Sequence, residues 1–370
     1  MNKKVLFGVI AVVLVALLGW YFLVNKKSSE TRETVKIGAV LPLTGSSSYY
    51  GNLDNQGILI AVEHLKNQGY NIEYYVEDNM SNTSTGMTAA KKLIDINKVD
   101  AIISTPSSLS LSLNAILEGK DIIHIAISNH EDLLKTNSNT IRAFSRAEDD
   151  ATIIGDFVKE KSMKKIMAFV LNSDYGIGLY SALTEKMENI TIDKELIDFN
   201  TKDFKNIILK NKIDNYDAII ILEYGTELSA NLIKQIREYN KNIQLIGTSS
   251  IAASSVIKKM NSNITDGLVC ASTKFDVGIY TTEGENFKLL YAQKYNDEIG
   301  MGQAYSYDAV VNFIKYYDYS NKTGEKGRLV YSKLFKDTEG VVGKFSYLEN
   351  GDIALEMVLA VYRDGKVNLY

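Results

Sequence analysis

The side chains best placed to do chemistry in this sequence are hydroxyls. Four Ser/Thr-rich stretches recur at residues 44–50, 78–82, 104–108 and 128–129, each after an apolar run or before an amphipathic one. Ser107 and Ser108 open an amphipathic stretch. Hydroxyls there cap a helix, and the first backbone N–H groups of a helix have no partner within it. Such a cluster of donors at a positive helix end suits an anion such as a carboxylate. The same serines also serve as plain caps, and a cap hydroxyl facing a crevice does both.

Other chemistry is sparse. There is no G-x-S-x-G elbow, phosphate-binding loop, H-E-x-x-H or EF-hand loop. Gly176-Ile177-Gly178 follows an apolar run, but Ser181 stands where a dinucleotide fingerprint needs its third glycine. A tight strand-to-helix turn is the plainer reading. His64 sits beside Leu65 on an amphipathic stretch and reads as a surface position; His124 lies inside an apolar run. His130 with Asp132 is too small a set for a metal, whose ligands must converge from several elements. The single cysteine, Cys270, lies in an apolar run; it excludes an intrachain disulfide and reads as a small buried hydrophobe. No catalytic residue, metal or cofactor is expected.

These loops need a scaffold that gathers them. Apolar runs of five to eight residues alternate with amphipathic stretches, which marks βαβ units and parallel sheets, an α/β fold. A first series predicts strands at 35–41, 72–77, 101–104 and 122–127, and helices at 52–68, 83–95 and 108–117. A second predicts strands at 165–171, 191–198, 217–222 and 244–248, and helices at 153–161, 177–187, 204–210 and 227–239. The tail breaks the rhythm, with a strand at 267–273, a mostly helical stretch at 283–319, and strands at 343–347 and 353–362 around Asn350-Gly351. Asp364-Gly365 marks a further turn. Two series imply two sheets, and loops after parallel strands share the carboxyl edge where ligands bind.

The chain has 370 residues and a net charge of −4, with no basic face for nucleic acid. Its opening is distinctive: an uncharged run from Val5 to Val24 lies between Lys3-Lys4 and Lys26-Lys27. That length spans the hydrocarbon core of a bilayer, and no A-x-A pattern marks a cleavage site. The run therefore reads as a transmembrane helix holding an extracytoplasmic domain; the alternative is a cleaved signal and a secreted protein. Residues 1–27 form this anchor or signal and 28–34 a polar linker.

One set of residues resembles a known family. Val35-Lys36-Ile37-Gly38-Ala39-Val40-Leu41-Pro42-Leu43-Thr44-Gly45, then Tyr49-Tyr50-Gly51, Gly57, Ala61 and Glu77-Asp78, resemble the opening of the leucine/branched-chain amino-acid-binding proteins, type I periplasmic binding proteins of ABC transporters. Asp174-Tyr175-Gly176-x-Gly178, Asp203-Phe204, Tyr307-Asp308-Ala309 and Gly343-x-Phe345 follow in order. The resemblance implies two Rossmann-like lobes joined by three hinge crossings, lobe one from 35–143 and 272–341, lobe two from 144–271 and 342–370. It implies a small solute clamped between them and delivered to ABC permease subunits. A ligand-sensing ectodomain acting on a membrane signalling partner is the alternative. By the same resemblance Ser107, with Ser108, holds a carboxylate, Ala126 and Ser128 hold an amino group, and Tyr50 and Tyr175 wall the pocket. The family's acidic residue for an ammonium is missing from Gly247-Thr248-Ser249-Ser250; Glu223 on a neighbouring loop is the candidate to replace it. The ligand implied is an amino acid or a related carboxylate or amide.

Overall fold

The computed structural model describes residues 33–296 and 298–370. The run from Val5 to Val24 lies outside them, and among the described residues no helix is long and apolar enough to cross a membrane.

The β-branched runs form strands covered on both faces, as such runs require. The first sheet holds β1 (Val35–Leu41), β2 (Ile72–Asp78), β3 (Ala101–Ser104), β4 (Ile123–Ala126) and β5 (Thr140–Arg142). Its order is β2-β1-β3-β4-β5, all parallel, with Val35 opposite Ile72 and Ala101 opposite Ile123. Helices α1 (Ser48–Asn67), α2 (Thr83–Lys92) and α3 (Ser107–Leu117) make the crossovers. The stripe Ile58, Ala61, Val62 and Leu65 on α1 is buried, as its spacing predicts.

The second series runs α4 (Ala147–Glu160), β6 (Lys165–Leu171), α5 (Asp174–Lys186), β7 (Thr191–Ile197), α6 (Lys205–Asn211), β8 (Ala218–Leu222), α7 (Glu227–Tyr239) and β9 (Gln244–Gly247). Three short helices, α8 (Ser249–Ala253), α9 (Ser255–Lys258) and α10 (Ser262–Thr265), lead to β10 (Val269–Thr273). The chain then returns to the first lobe as α11 (Thr282–Ala292), α12 (Met301–Thr323), α13 (Arg328–Leu334) and a small antiparallel sheet of β11 (Thr338–Gly340), β12 (Gly343–Tyr347) and β13 (Ile353–Leu355). It ends as β14 (Met357–Arg363) and β15 (Lys366–Leu369) in the second sheet, whose order is β15-β14-β10-β9-β8-β6-β7.

Each lobe closes its own core. Phe287, Tyr305, Phe313 and Phe345 join Ile37, Ile58 and Ile103 over one face of the first sheet, and Leu93, Leu109 and Leu113 cover the other. Phe169, Phe204 and Ile233 lie on one side of the second sheet, Ile154, Phe157 and Leu179 on the opposite side. Helices α1 and α12 cross closely at Gly57, where a Cβ would stand 2.2 Å from the Gln303 carbonyl oxygen, so only glycine fits.

Four expectations change. The helical stretch at 283–319 is two helices separated by residues 293–300, a segment without apolar periodicity. Strand β5 adds itself to the first sheet, too short at three residues to show a pattern. The run 353–362 is split at Glu356 between the small sheet and the second sheet. Consequently β12 and β13, expected in lobe two, pack on the core of lobe one through Phe345, Tyr347, Ile353 and Leu355. Both turns form: Gly351 (φ 87°) in the first hairpin, and Asp364 and Gly365 (φ 52° and 71°) in the second.

Candidate functional site

The carboxyl edges of the two parallel sheets face each other. From lobe one, β1 leads into Pro42, β3 runs through Thr105 and Pro106 into α3, and β4 runs through Ile127 into Ser128 and Asn129. From lobe two come Tyr175 after β6, Tyr224 after β8 and Ser250 after β9. Together with Ser47, Tyr49, Tyr50, Leu53 and Asp54 of the loop and first turns of α1, with Phe144, Ala253, Ser254, Gly300 and Gly302, they line a cavity between the lobes.

One wall is a cluster of hydrogen-bond donors. Ser107 opens α3, and the first intrahelical bond is made by Ser110 N–H to the Pro106 carbonyl. No side chain caps that end, which leaves the N–H groups of Ser107, Ser108 and Leu109 turned toward the cavity end of the helix. Ser128 Oγ donates to Ser107 Oγ at 2.9 Å, and Ser107 Oγ lies 3.5 Å from Asn129 Oδ1. The Asn129 amide nitrogen is buried without a partner. Behind this loop Arg142, 1% exposed, donates to the carbonyls of Ser128 (2.8 Å) and His130 (3.0 Å) and pairs with Asp352 at 2.7 Å. A buried guanidinium thus fixes the loop, its charge balanced by Asp352. Deeper still, His124 is held by Ser104 Oγ (2.8 Å), Asn114 Oδ1 (2.9 Å) and Thr140 Oγ1 (3.2 Å). Burial lowers its pKa to about 3, so it is a neutral structural histidine.

The opposite wall is aromatic. Tyr175 and Tyr224 stack with ring centroids 4.0 Å apart, Tyr224 meets Tyr50 at 5.0 Å, and Tyr50 meets Tyr49 edge-on at 5.2 Å. Tyr175 Oη bonds Ser250 Oγ at 2.8 Å, whereas the buried Tyr50 hydroxyl has no partner. Burial raises both phenols well above their ordinary range, so both are neutral donors at pH 7. Across the cleft, Tyr49 Oη bonds Ser255 Oγ at 2.6 Å and ties α1 to α9.

The residues expected from sequence separate into three groups. Tyr50, Ser107, Ser128 and Tyr175 line the cavity together. Ser108 lies beside it, lining a groove at the mouth with Ser46, Asp174 and Phe199. Ala126 and Glu223 are elsewhere. Ala126 is buried in β4, its carbonyl accepts from Ala143 N–H at 2.9 Å, and it does not line the cavity. Glu223 is fully buried beneath α7, where its carboxylate accepts from the N–H groups of Gly225 (2.8 Å) and Thr226 (3.0 Å) and from the hydroxyls of Thr226 (2.7 Å) and Ser229. It holds the turn that leads into α7, whose capping residue is Thr226, and it does not line the cavity. Tyr224, the next residue, alternates to the other side and takes the wall.

Sequence reasoning missed Tyr224, Phe144, Asn129 and Asp54. Asp54 lies one helical turn beyond Tyr50, a spacing that places both on one face of α1. It is 2% exposed and, among the described residues, accepts a hydrogen bond from Ser306 Oγ at 3.3 Å.

Known proteins share this fold. Residues 34–352 match the family described as periplasmic binding protein. A leucine/isoleucine/valine-binding protein of Rhizobium johnstonii is 22% identical over 59% of this chain, and the chain spans 62% of that relative's length. A leucine-binding protein of Thermotoga maritima superimposes with a TM-score of 0.80 at 22% identity, over 91% of this chain and 97% of that one. A solute-binding protein of an ABC transporter from Rhodopseudomonas palustris, solved with 3,4-dihydroxybenzoic acid, gives 0.79 at 18% identity, over 91% and 96%. With a matched region covering both lobes and the cleft between them, this chain belongs to the periplasmic binding protein family, a family of extracytoplasmic binding proteins and not of enzymes.

Proposed function

We propose that the protein is the solute-binding component of an ABC importer, taking a small organic carboxylate or amide, such as an amino acid, between its lobes and passing it to permease subunits. The observation that carries this reading is the cavity lined from both lobes, with donors on one wall and rings on the other. A carboxylate against Ser107, Ser128 and Asn129 would occupy the free N–H groups of α3, and each such charge-assisted bond is about twice as strong as a neutral one. The tyrosines would cover the apolar body of the solute. The ligands named for the relatives, branched-chain amino acids and a dihydroxybenzoic acid, share that plan of a carboxylate on an apolar body. The run from Val5 to Val24 would tether the domain to the outer face of the membrane.

A thermal-shift screen of the full chain in mild detergent tests the reading, with amino acids, their amides, and aliphatic and aromatic carboxylates as probes. A ligand at one hundred times its Kd stabilises the state it binds by about 2.7 kcal/mol, a shift of several degrees. A chain whose melting responds to none of these classes is not this kind of receptor.

A further inference from the structure

Resting on the solute-binding reading, we infer that Asp54 is the counter-ion for a positively charged group on the ligand, and that this contact sets which solutes the cleft accepts. Among the described residues lining the cavity, Asp54 is the one carboxyl group, and none is Lys, Arg or His. The cavity therefore offers no cation to an incoming anion beyond helix and amide dipoles, but it offers a carboxylate to an incoming cation. The lining around it supplies π faces as well, from Tyr49, Tyr50, Tyr175 and Tyr224, which also favour cations.

The surroundings leave Asp54 under-satisfied. Among the described residues, the hydrogen bond it accepts is the 3.3 Å one from Ser306 Oγ on α12. The nearby amide of Gln303 is committed elsewhere, with its oxygen to Gly300 N–H (2.9 Å) and its nitrogen to Gln56 Oε1 and Tyr291 Oη (both 3.2 Å). Tyr74 on β2 is the titratable neighbour that feels Asp54; its hydroxyl donates to Asn55 Oδ1 at 2.7 Å, and its phenol is held well above the ordinary range, so it stays neutral. No charged side chain moves the acidity of Asp54: burial raises its pKa to about 8 and the Ser306 bond lowers it slightly. A buried carboxylate without a counter-ion is costly, and a proton neutralises it in the empty protein. An ammonium placed there takes over that role. The balance is explicit: Asp54–COOH plus the cation becomes the carboxylate–cation pair, and the proton leaves to solvent.

Titration calorimetry of the full chain in mild detergent, with each of the common L-amino acids and its des-amino acid as probes, tests this. Asp54→Asn is expected to weaken amino-acid binding about thirty- to a hundredfold, to leave any des-amino binding within about threefold, and to retain a cooperative melt. Heats in two buffers of different ionisation enthalpy at pH 7 should show net proton release for the parent and none for Asp54→Asn. If the parent treats the two probes alike, takes only des-amino acids, or keeps its amino-acid affinity in Asp54→Asn, the counter-ion is refuted while the solute-binding cleft stands. If no probe of either set binds while the thermal-shift screen finds another ligand, the counter-ion is refuted and the cleft stands; if that screen is blank as well, both readings fall. If Asp54→Asn does not fold, the parent's pH series decides. Amino-acid affinity should then rise about tenfold from pH 6 to pH 7, with des-amino affinity falling or flat, and parallel profiles overturn the inference.

Discussion

Glu223 offers the sharpest contrast between what its residue type suggests and what its position does. Its carboxylate accepts from two backbone N–H groups and two hydroxyls at the start of α7, in a place with no exposure to solvent. Replacing it by alanine leaves the buried Gly225 N–H unpaired, at roughly 1–3 kcal/mol, and frees the half-buried Thr226 N–H at a smaller cost, so a loss of about 3 kcal/mol is expected. Glutamine is milder. One amide oxygen can keep the two backbone donors and Ser229, while the amide nitrogen donates to Thr226 Oγ1, which is free to rotate. What disappears is the negative charge at a helix N-terminus and the charge assistance in each bond, about 2 kcal/mol together. Melts followed by circular dichroism read both changes, at about 2–4 °C per kcal/mol for a lobe of this size. Amino-acid affinity in titration calorimetry should stay within about threefold for Glu223→Gln. The reverse pattern, an unchanged melt with binding weakened tenfold or more, would falsify the turn-holding role and return Glu223 to the cavity wall.

Three further outcomes are expected. Ser107→Ala removes one bond to a charged group, worth about 1.5–3 kcal/mol, so calorimetry should find affinity for a carboxylate ligand down about ten- to a hundredfold, with the ligand-free melt hardly moved; equal affinities would remove Ser107 from the anion site. Gly57→Ala must push α1 and α12 apart, because its Cβ would stand 2.2 Å from the Gln303 oxygen, and urea unfolding should register a loss of about 1–3 kcal/mol; parent-like stability would show that the crossing is slack. N-terminal sequencing of membrane-purified protein should begin before Val5, and a first residue beyond Asn25 would mean a cleaved signal and a secreted domain.

Periodicity carried most of the fold, because strands buried on both faces and helices with one apolar stripe leave different signatures in a chain. It failed where a segment is short or its first turn polar. Helix α1 begins at Ser48, four residues before the apolar stripe makes it visible, and α4 begins with Ala147-Glu148-Asp149-Asp150, acids that suit a helix start but carry no period. The run at 353–362 looked like one strand since Glu356, the break, is a single polar residue in an apolar stretch. In the site, Ser107 and Ser128 were legible because loops after parallel strands must share an edge. Glu223 misled because charge says nothing of direction; Gly225, Thr226 and Ser229 just beyond it are the partners of a turn. Asp54 was open to the opposite correction, one turn from Tyr50 on the same helix face.

The split at Glu356 also governs how the molecule can move. Leu355 is hydrogen-bonded into a sheet of one lobe and Met357 into the sheet of the other, with one residue between. Alongside it, Thr273 pairs with Met357 and Lys274 reaches Glu356 at 2.7 Å. Two of the passages between lobes are therefore laced side by side into one short band, with almost no slack in either. Such a band behaves as a pivot and not as a tether: it permits rotation about its own line but neither separation nor sliding of the bodies it joins.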